Sequence, residues 1–170
     1  MRTEDNRHIA IIAAISHRNR AMGKSNSLLW HLPRDMEHFR TLTTGHPVVM
    51  GRKTWESIPQ KFRPLPDRTN VVISRDPTYL ADGAHNASSL EEAIHYAQKI
   101  HDTIYIIGGA QIYTEALPLC TELYLTLVDD EPEADVFFPE YEHLFKLVEK
   151  SEKQTENDIL FHFTKWLRKD

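Results

Sequence analysis

Cysteine is nearly absent from this chain of 170 residues. Its single cysteine, Cys120, excludes an intrachain disulfide and any metal site built on several thiolates. It reads as a buried small hydrophobe. The histidines form no close pair at metal-ligand spacing beside carboxylates, so no metal is expected. A basic surplus is also missing. The formal charge is −5, with both signs interspersed, which disfavours a nucleic-acid partner. Local basic clusters can still meet a small anionic ligand. Long apolar runs are lacking as well. The longest clean one, Ile9–Ile15, is far too short to span a bilayer. Glu4 and Asp5 precede it and no convincing small-residue cleavage site follows, so it does not read as a signal peptide. The expectation is a cytoplasmic protein with no membrane partner. Repeats, low-complexity stretches and linkers do not occur.

Hydrophobic residues make up 41% and charged residues 26%, enough for a real core and typical of ordered chains. The expectation is one domain over residues 1–170, with residues 1–7 a loose polar tail. Ile9–Ser16 is continuously apolar and fits a strand buried on both faces. His17–Leu29 holds Asn, Gly and Ser and reads as loop. Pro33 suits the first turn of a helix to about Thr43, with Leu32, Met36 and Phe39 as its apolar stripe. Val48–Met50 and Val71–Ile73 read as short buried strands, and a second helix lies near Lys53–Ser57. The proline-rich stretch Pro59–Asp67 between them must be loop. Ser89 and Glu92 form a capping box for a third helix, with Leu90, Ala93, Ile94, Ala97 and Ile100 on its buried face. Strand Ile104–Ile107, a glycine turn, a short helix to about Leu117 and strand Leu123–Val128 follow. Leu144–Ser151 and Asp158–Leu167 look like an antiparallel pair. The fold class is therefore α/β: a twisted, mostly parallel mixed sheet flanked by helices on both faces and closed by a C-terminal antiparallel hairpin. Ligands of such sheets sit beyond the carboxyl ends of the strands.

Two strand-to-helix turns carry glycine. Gly51 precedes Arg52, Lys53 and Thr54, where a helix start, two cations and a hydroxyl could meet a phosphate. They could equally be a plain turn with solvated basic residues. Gly108-Gly109 precedes Ala110, Gln111 and Ile112. It lacks the spaced three-glycine dinucleotide fingerprint, and both a pyrophosphate site and an empty tight turn stay open. Asp35 lies in the first turn of its helix and shares a face with Phe39. Beside Phe39, Leu28 and Trp30 its carboxyl would be partly desolvated and its pKa raised toward catalytic use. An Asp favoured there only by the helix dipole is the competing reading.

Four runs then resemble the dihydrofolate reductase family, in its order and at its spacing. They are Trp30-His31-Leu32-Pro33-Arg34-Asp35, Met50-Gly51-Arg52-Lys53-Thr54-Trp55-Glu56-Ser57-Ile58, Arg63-Pro64-Leu65-Pro66-Asp67-Arg68-Thr69-Asn70 and Ile107-Gly108-Gly109-Ala110-Gln111-Ile112-Tyr113. Leu123–Thr126 and Asp135–Pro139 extend the match across nearly the whole chain, from about Ile9 to Trp166. The resemblance implies NADPH-dependent reduction of 7,8-dihydrofolate to 5,6,7,8-tetrahydrofolate, inhibition by antifolates and a role in one-carbon metabolism.

It also implies roles. Asp35 would hold the pterin and promote protonation of N5. Thr126 would support Asp35, Trp30 would hold water nearby, and Tyr113 would sit near the reacting centre. Ile12, Ala13, Leu28, Phe39, Ile58, Leu65 and Ile107 would line the substrate pocket, with Arg68 pairing with the glutamate tail and Arg40 a lesser helper. Ala14, Met22, Gly23 and Ile107 would meet the nicotinamide side of NADPH. Gly51, Arg52, Lys53, Thr54, Gly108, Gly109, Ala110, Gln111 and Ile112 would approach its phosphates, and Ser74 and Arg75 the adenosine 2′-phosphate. Gly108–Gly109 would be a cis peptide. Met22–Leu29 would be a mobile lid touched by the loop of Asp135. A monomer is expected.

The chain departs from the family pattern in three places. Leu29 replaces the usual proline, Ile58–Leu65 is slightly longer than in compact bacterial members, and the N-terminal extension has no family role. A reductase of the same fold acting on a pyrimidine of riboflavin synthesis is one alternative; Asp35 after Trp30 and the Arg68 segment speak against it. A non-catalytic dinucleotide- or RNA-binding protein is another, opposed by the Asp35–Thr126 pair and the net acidity.

Overall fold

The structure is a computed structural model that describes residues 7–25 and 27–170. The expected tail over Met1–Asn6 lies outside the described residues. In chain order the strands are β1 (His8–Ser16), β2 (Ala21–Lys24), β3 (Ser27–Leu28), β4 (Val48–Gly51), β5 (Asn70–Ile73), β6 (His85–Ala87), β7 (Thr103–Gly108), β8 (Glu122–Val128), β9 (Val136–Phe137), β10 (Phe145–Lys150), β11 (Gln154–Glu156) and β12 (Ile159–Arg168). The helices are α1 (Pro33–Thr43), α2 (Arg52–Ser57), α3 (Leu90–Gln98) and α4 (Ala110–Ala116).

The main sheet runs β10-β12-β8-β1-β7-β4-β5-β6, with β11 added on β12. Strands β1, β4, β5, β6, β7 and β8 are mutually parallel, whereas β12 is antiparallel to β8 and β10. The mixed sheet closed by a C-terminal antiparallel hairpin is as expected. The unbroken apolar runs of β1, β4 and β5 follow from burial on both faces. One face packs a core of Ile11, Val49, Ile106 and Leu125 against α3 and α4. The other packs Ile12, Met50, Trp55, Val72 and Tyr105 against Phe39, Leu42, Ile58, Leu65 and Ile107. Cys120 is fully buried, and its thiol is pushed up to about 12 by desolvation.

Three expectations need correction. His17–Leu29 is not all loop: β2 pairs with β3 and with the distant β9 in a small second sheet. That pairing is non-local and leaves no alternation in the sequence. Met36 does not belong to the buried stripe of α1; it is 60% exposed. Leu32 is the extended N-cap residue, with φ −124° and ψ 94°, so its buried side chain does not mark the face on which Met36 lies, although Met36 N donates to Leu32 O. Ile100 is likewise exposed, because α3 ends at Gln98 and its face ends with it. The capping of α3 does form: Ser89 Oγ accepts from Glu92 N at 3.1 Å, while the Glu92 carboxylate reaches Ser88 N at 2.9 Å.

Candidate active site

The carboxyl ends of β1, β4, β7 and β8 define one rim, and the residues of interest gather there. Pro33 starts α1 without an N–H to satisfy, which leaves Asp35 in the first turn. On β8, Thr126 lies opposite Ala14 of β1. Thr126 Oγ1 donates to Asp35 Oδ1 at 2.5 Å and ties the helix to the sheet. The Asp35 carboxyl is raised from its ordinary value, chiefly by desolvation; the negative charge of Glu156 adds to this and the Thr126 hydrogen bond opposes it. Asp35 is thus a half-buried acid, one turn of α1 before Phe39.

Ile12, Phe39, Ile58, Leu65 and Ile107 meet in one hydrophobic cluster around Trp55. At Ile107 the register of β4 with β7 slips: Val49 faces Ile106, while Met50 faces Gly108. Such a bulge re-aims the extra residue next to a site. Tyr113 is buried behind it and donates its hydroxyl to Ile12 O at 2.8 Å. Desolvation raises its pKa strongly, so the phenol stays protonated at physiological pH.

The two glycine turns are neighbours. The Gly108–Gly109 peptide is cis, as is Arg63–Pro64. Gly108 has φ +118°, and a Cβ there would stand 3.1 Å from Tyr113 Oη, so this position requires glycine. A Cβ on Gly51 would come 3.2 Å from Ile112 Cγ1 and 3.9 Å from Gly109 N, and one on Gly109 would lie 3.5 Å from Thr54 Oγ1. The starts of α2 and α4 therefore adjoin, with little more than backbone between them. Lys53 and Arg75 are exposed, and Ser74 Oγ accepts from Asp76 N at 3.2 Å. Arg52 is engaged already: its Nε donates to Glu56 Oε1 at 2.9 Å, its guanidinium lies 4.0 Å from the Tyr79 ring centre, and Asp76 is 4.0 Å away. Gln111 donates to Glu115 at 3.3 Å, and Ala110 starts α4.

Some expected residues sit differently. Leu28 does not cover Asp35. It is 85% exposed, on a two-residue strand at the outer edge of the small sheet. Met22 and Ile112 are packed into the main core, which leaves backbone rather than side chain toward the rim. The Trp30 indole N–H donates to Asp130 Oδ2 at 2.9 Å, so that donor is committed to a carboxylate instead of to water. Arg68 donates to Pro66 O at 2.8 Å and to Thr43 Oγ1 at 3.0 Å, near the face of Phe39. Gly23 faces Leu28, and Asp135 reaches the same hairpin: its N–H donates to Gly23 O at 3.1 Å and its carboxylate accepts from Ser25 N at 3.0 Å. Ala13 and Ala14 lie half-buried on β1.

Sequence reasoning missed Asp130, Glu156, Asn157, Asp76 and Tyr79, whose contacts with this rim are non-local. Glu56, four residues after Arg52 on one helix, could have been found from spacing.

A family model described as dihydrofolate reductase matches residues 8–168. The chain is 43% identical over 163 residues to the dihydrofolate reductase of Neisseria gonorrhoeae, covering 95% of this chain and 98% of that one. It is 48% identical over 133 residues to the dihydrofolate reductase type 3 of Salmonella typhimurium, covering 78% of this chain and 79% of that one. A solved structure, the Enterococcus faecalis dihydrofolate reductase complexed with NADP(H) and RAB-propyl, superposes with a TM-score of 0.85 at 32% identity and covers 96% of this chain and 97% of that one. With the half-buried Asp35 hydrogen-bonded to Thr126 and the paired glycine turns beside it, this similarity establishes that the chain belongs to the dihydrofolate reductase family.

Proposed function

We infer that the chain reduces 7,8-dihydrofolate to 5,6,7,8-tetrahydrofolate with NADPH, and that Asp35 is its catalytic carboxyl. The observation that carries this reading is one half-buried carboxyl, raised by desolvation and one turn of α1 before Phe39, which packs in one apolar cluster with Ile58, Leu65 and Ile107. Bound NADPH supplies a hydride to pterin C6. The residues present suit such a cofactor: the backbone turns at Gly51 and Gly108–Gly109 adjoin, and exposed cations flank them. Gly108, Gly109, Ala110, Gln111, Gly51 and Thr54 take the pyrophosphate side, while Arg52, Lys53, Ser74 and Arg75 take the 2′-phosphate. Ala14, Gly23 and Ile107 border the nicotinamide.

Asp35 holds the pterin and favours a proton at N5, where negative charge would otherwise collect. Thr126 fixes the orientation of the carboxyl, and Tyr113, kept neutral by burial, ties α4 to β1 through Ile12 O. The apolar walls exclude water and position the ring. Arg68 takes the tail carboxylate, for which its planar fork is suited. Among the described residues, no helix is long and apolar enough to cross a membrane and no group of three metal-ligating side chains occurs. A single-domain, cytoplasmic monomer that needs neither metal nor nucleic acid completes the proposal. The test is NADPH consumption on addition of dihydrofolate. Absorbance loss that requires both compounds supports the reading; no turnover with dihydrofolate overturns it.

A further inference from the structure

The helix that carries Asp35 has no cap of its own. Its N-cap residue is Leu32, which makes no side-chain hydrogen bond to the first turn. The N–H groups at a helix start need acceptors, and Pro33 removes only one of them. The acceptor comes from the opposite end of the chain. Glu156, the last residue of β11, accepts from Arg34 N through Oε1 at 2.9 Å. Its Oε2 lies 3.7 Å from Arg34 Nε, and Gln154 Oε1 accepts from Arg34 Nη1 at 3.2 Å. The Glu156 side chain is only 18% exposed. Next to it, Asn157 Nδ2 donates to His31 O at 3.1 Å. The β11–β12 turn therefore grips the segment His31–Arg34, immediately before Asp35. Leu29 stands just upstream, where a proline would otherwise have stiffened the chain.

We propose that Glu156 is a positioning residue of the reaction: from the C-terminal hairpin it caps the catalytic helix and presents a second negative charge to the Asp35 carboxyl. This rests on the reading of Asp35 given above. A carboxylate near another carboxylate favours the protonated form of its neighbour. The charge acts in the same direction as desolvation on Asp35, against the Thr126 hydrogen bond. The groups that face Asp35 are Thr126 on β8, Glu156 on β11 and the neutral Tyr113 on α4. Arg34 adjoins it on α1 and is drawn away by Glu156 and Gln154. Removing the Glu156 charge both withdraws a repulsion and frees Arg34, and both changes favour the Asp35 carboxylate. The cap and the charge are separable, because a carboxamide oxygen can still accept from Arg34 N.

The experiment compares Glu156→Gln and Glu156→Ala with the parent protein. The Asp35 carboxyl is titrated by carbon-13 NMR in the protein alone, and single-turnover hydride transfer from NADPH to dihydrofolate is followed against pH. Glu156→Gln shifts the Asp35 titration to lower pH while the melting temperature stays near that of the parent. The neutral-pH hydride rate falls roughly two- to fivefold, as fits a partly screened charge interaction. Glu156→Ala shifts the titration in the same direction and also lowers the melting temperature. An unmoved Asp35 titration in Glu156→Gln overturns the proposal, whatever happens to the melting temperature. So does an equal melting temperature in Glu156→Ala and the parent. The titration needs no substrate, so it stands apart from the test of the reaction: a protein that fails to reduce dihydrofolate yet shifts its Asp35 titration refutes the reading of the activity and keeps the coupling.

Discussion

The two sides of the rim are built from different materials. On the carboxyl side, side chains do the work. Phe39, Ile58, Leu65 and Ile107 pack into one apolar cluster, and Asp35, one turn before Phe39 on α1, is held by Thr126 from β8. On the glycine side, backbone does the work. Gly51, Gly108 and Gly109 bring two helix starts together, and the nearby cations are exposed, with Arg52 tied to Glu56 and Asp76. On the proposed reading, chemistry on the first side depends on excluding water from one titratable group. On the same reading, recognition on the second depends on shape and on charges that solvent and salt screen. Damage should accordingly be steep and pH-dependent on the first side, and graded and salt-dependent on the second.

The largest effect is expected from Asp35→Asn. It should lower the neutral-pH hydride-transfer rate by roughly 10²–10⁴, the range typical of acid–base groups, and leave NADPH affinity nearly unchanged. The same variant should be more stable than the parent at neutral pH. The folded-state pKa of Asp35 is raised, so the native state binds this proton more tightly than the unfolded chain does. Stability is then lost as pH rises from the unfolded pKa through the folded one, and the asparagine removes that loss. Thermal melts at acidic and neutral pH check the direction; a lower melting temperature for Asp35→Asn at neutral pH would show that the Thr126 hydrogen bond outweighs desolvation.

Next comes Gly108→Ala. A side chain at φ +118°, 3.1 Å from Tyr113 Oη, forces a shift of the turn. A cost of about 1–3 kcal/mol in stability is expected, together with weakened NADPH binding. Unchanged melting and cofactor titration would mean that the turn tolerates a Cβ. A smaller and more selective effect is expected from Arg68→Leu. Dihydrofolate and glutamate-bearing antifolates should bind roughly tenfold more weakly, by loss of a charge-assisted pair. Small diaminopyrimidine inhibitors, which have no tail, should be unaffected. Uniform loss would point to a damaged pocket, because Arg68 also braces Pro66 and Thr43. The mildest change is expected at Arg52. It is exposed and already engaged by Glu56, Asp76 and Tyr79, so a phosphate bound there would have to compete for it. Arg52→Gln should weaken NADPH several-fold more than NADH, and less so at high salt. Equal weakening of both cofactors would displace the 2′-phosphate from this corner.

How much of this was legible in the sequence follows the same division. The buried strands β1, β4, β5 and β7 announce themselves as apolar runs, and the glycine turns and Pro33 mark helix starts. The pairing of Asp35 with Thr126, 91 positions apart, was visible only through family resemblance. Strand β6 was not legible, because His85-Asn86-Ala87 carries no strand pattern and is held by its pairing with β5. The small sheet of β2, β3 and β9 was hidden for the same reason. Trp30 was expected to hold water, but nothing local marks Asp130 as the acceptor that takes its N–H. Glu156 was equally silent, since its value depends on a hairpin folding back onto the start of α1.

The central claim is that desolvation makes Asp35 the acid of this reaction. The most direct test is single-turnover hydride transfer against pH for the parent and Asp35→Asn, with NADPH binding measured in parallel. The parent rate should fall as pH rises through an apparent pKa above the ordinary range of aspartate. The variant should lose that transition, run slowly at neutral pH and partly recover in acid, where dihydrofolate is itself protonated in solution. A variant that keeps the parent's neutral rate and pH profile would contradict the account and leave Asp35 as a helix-start residue alone.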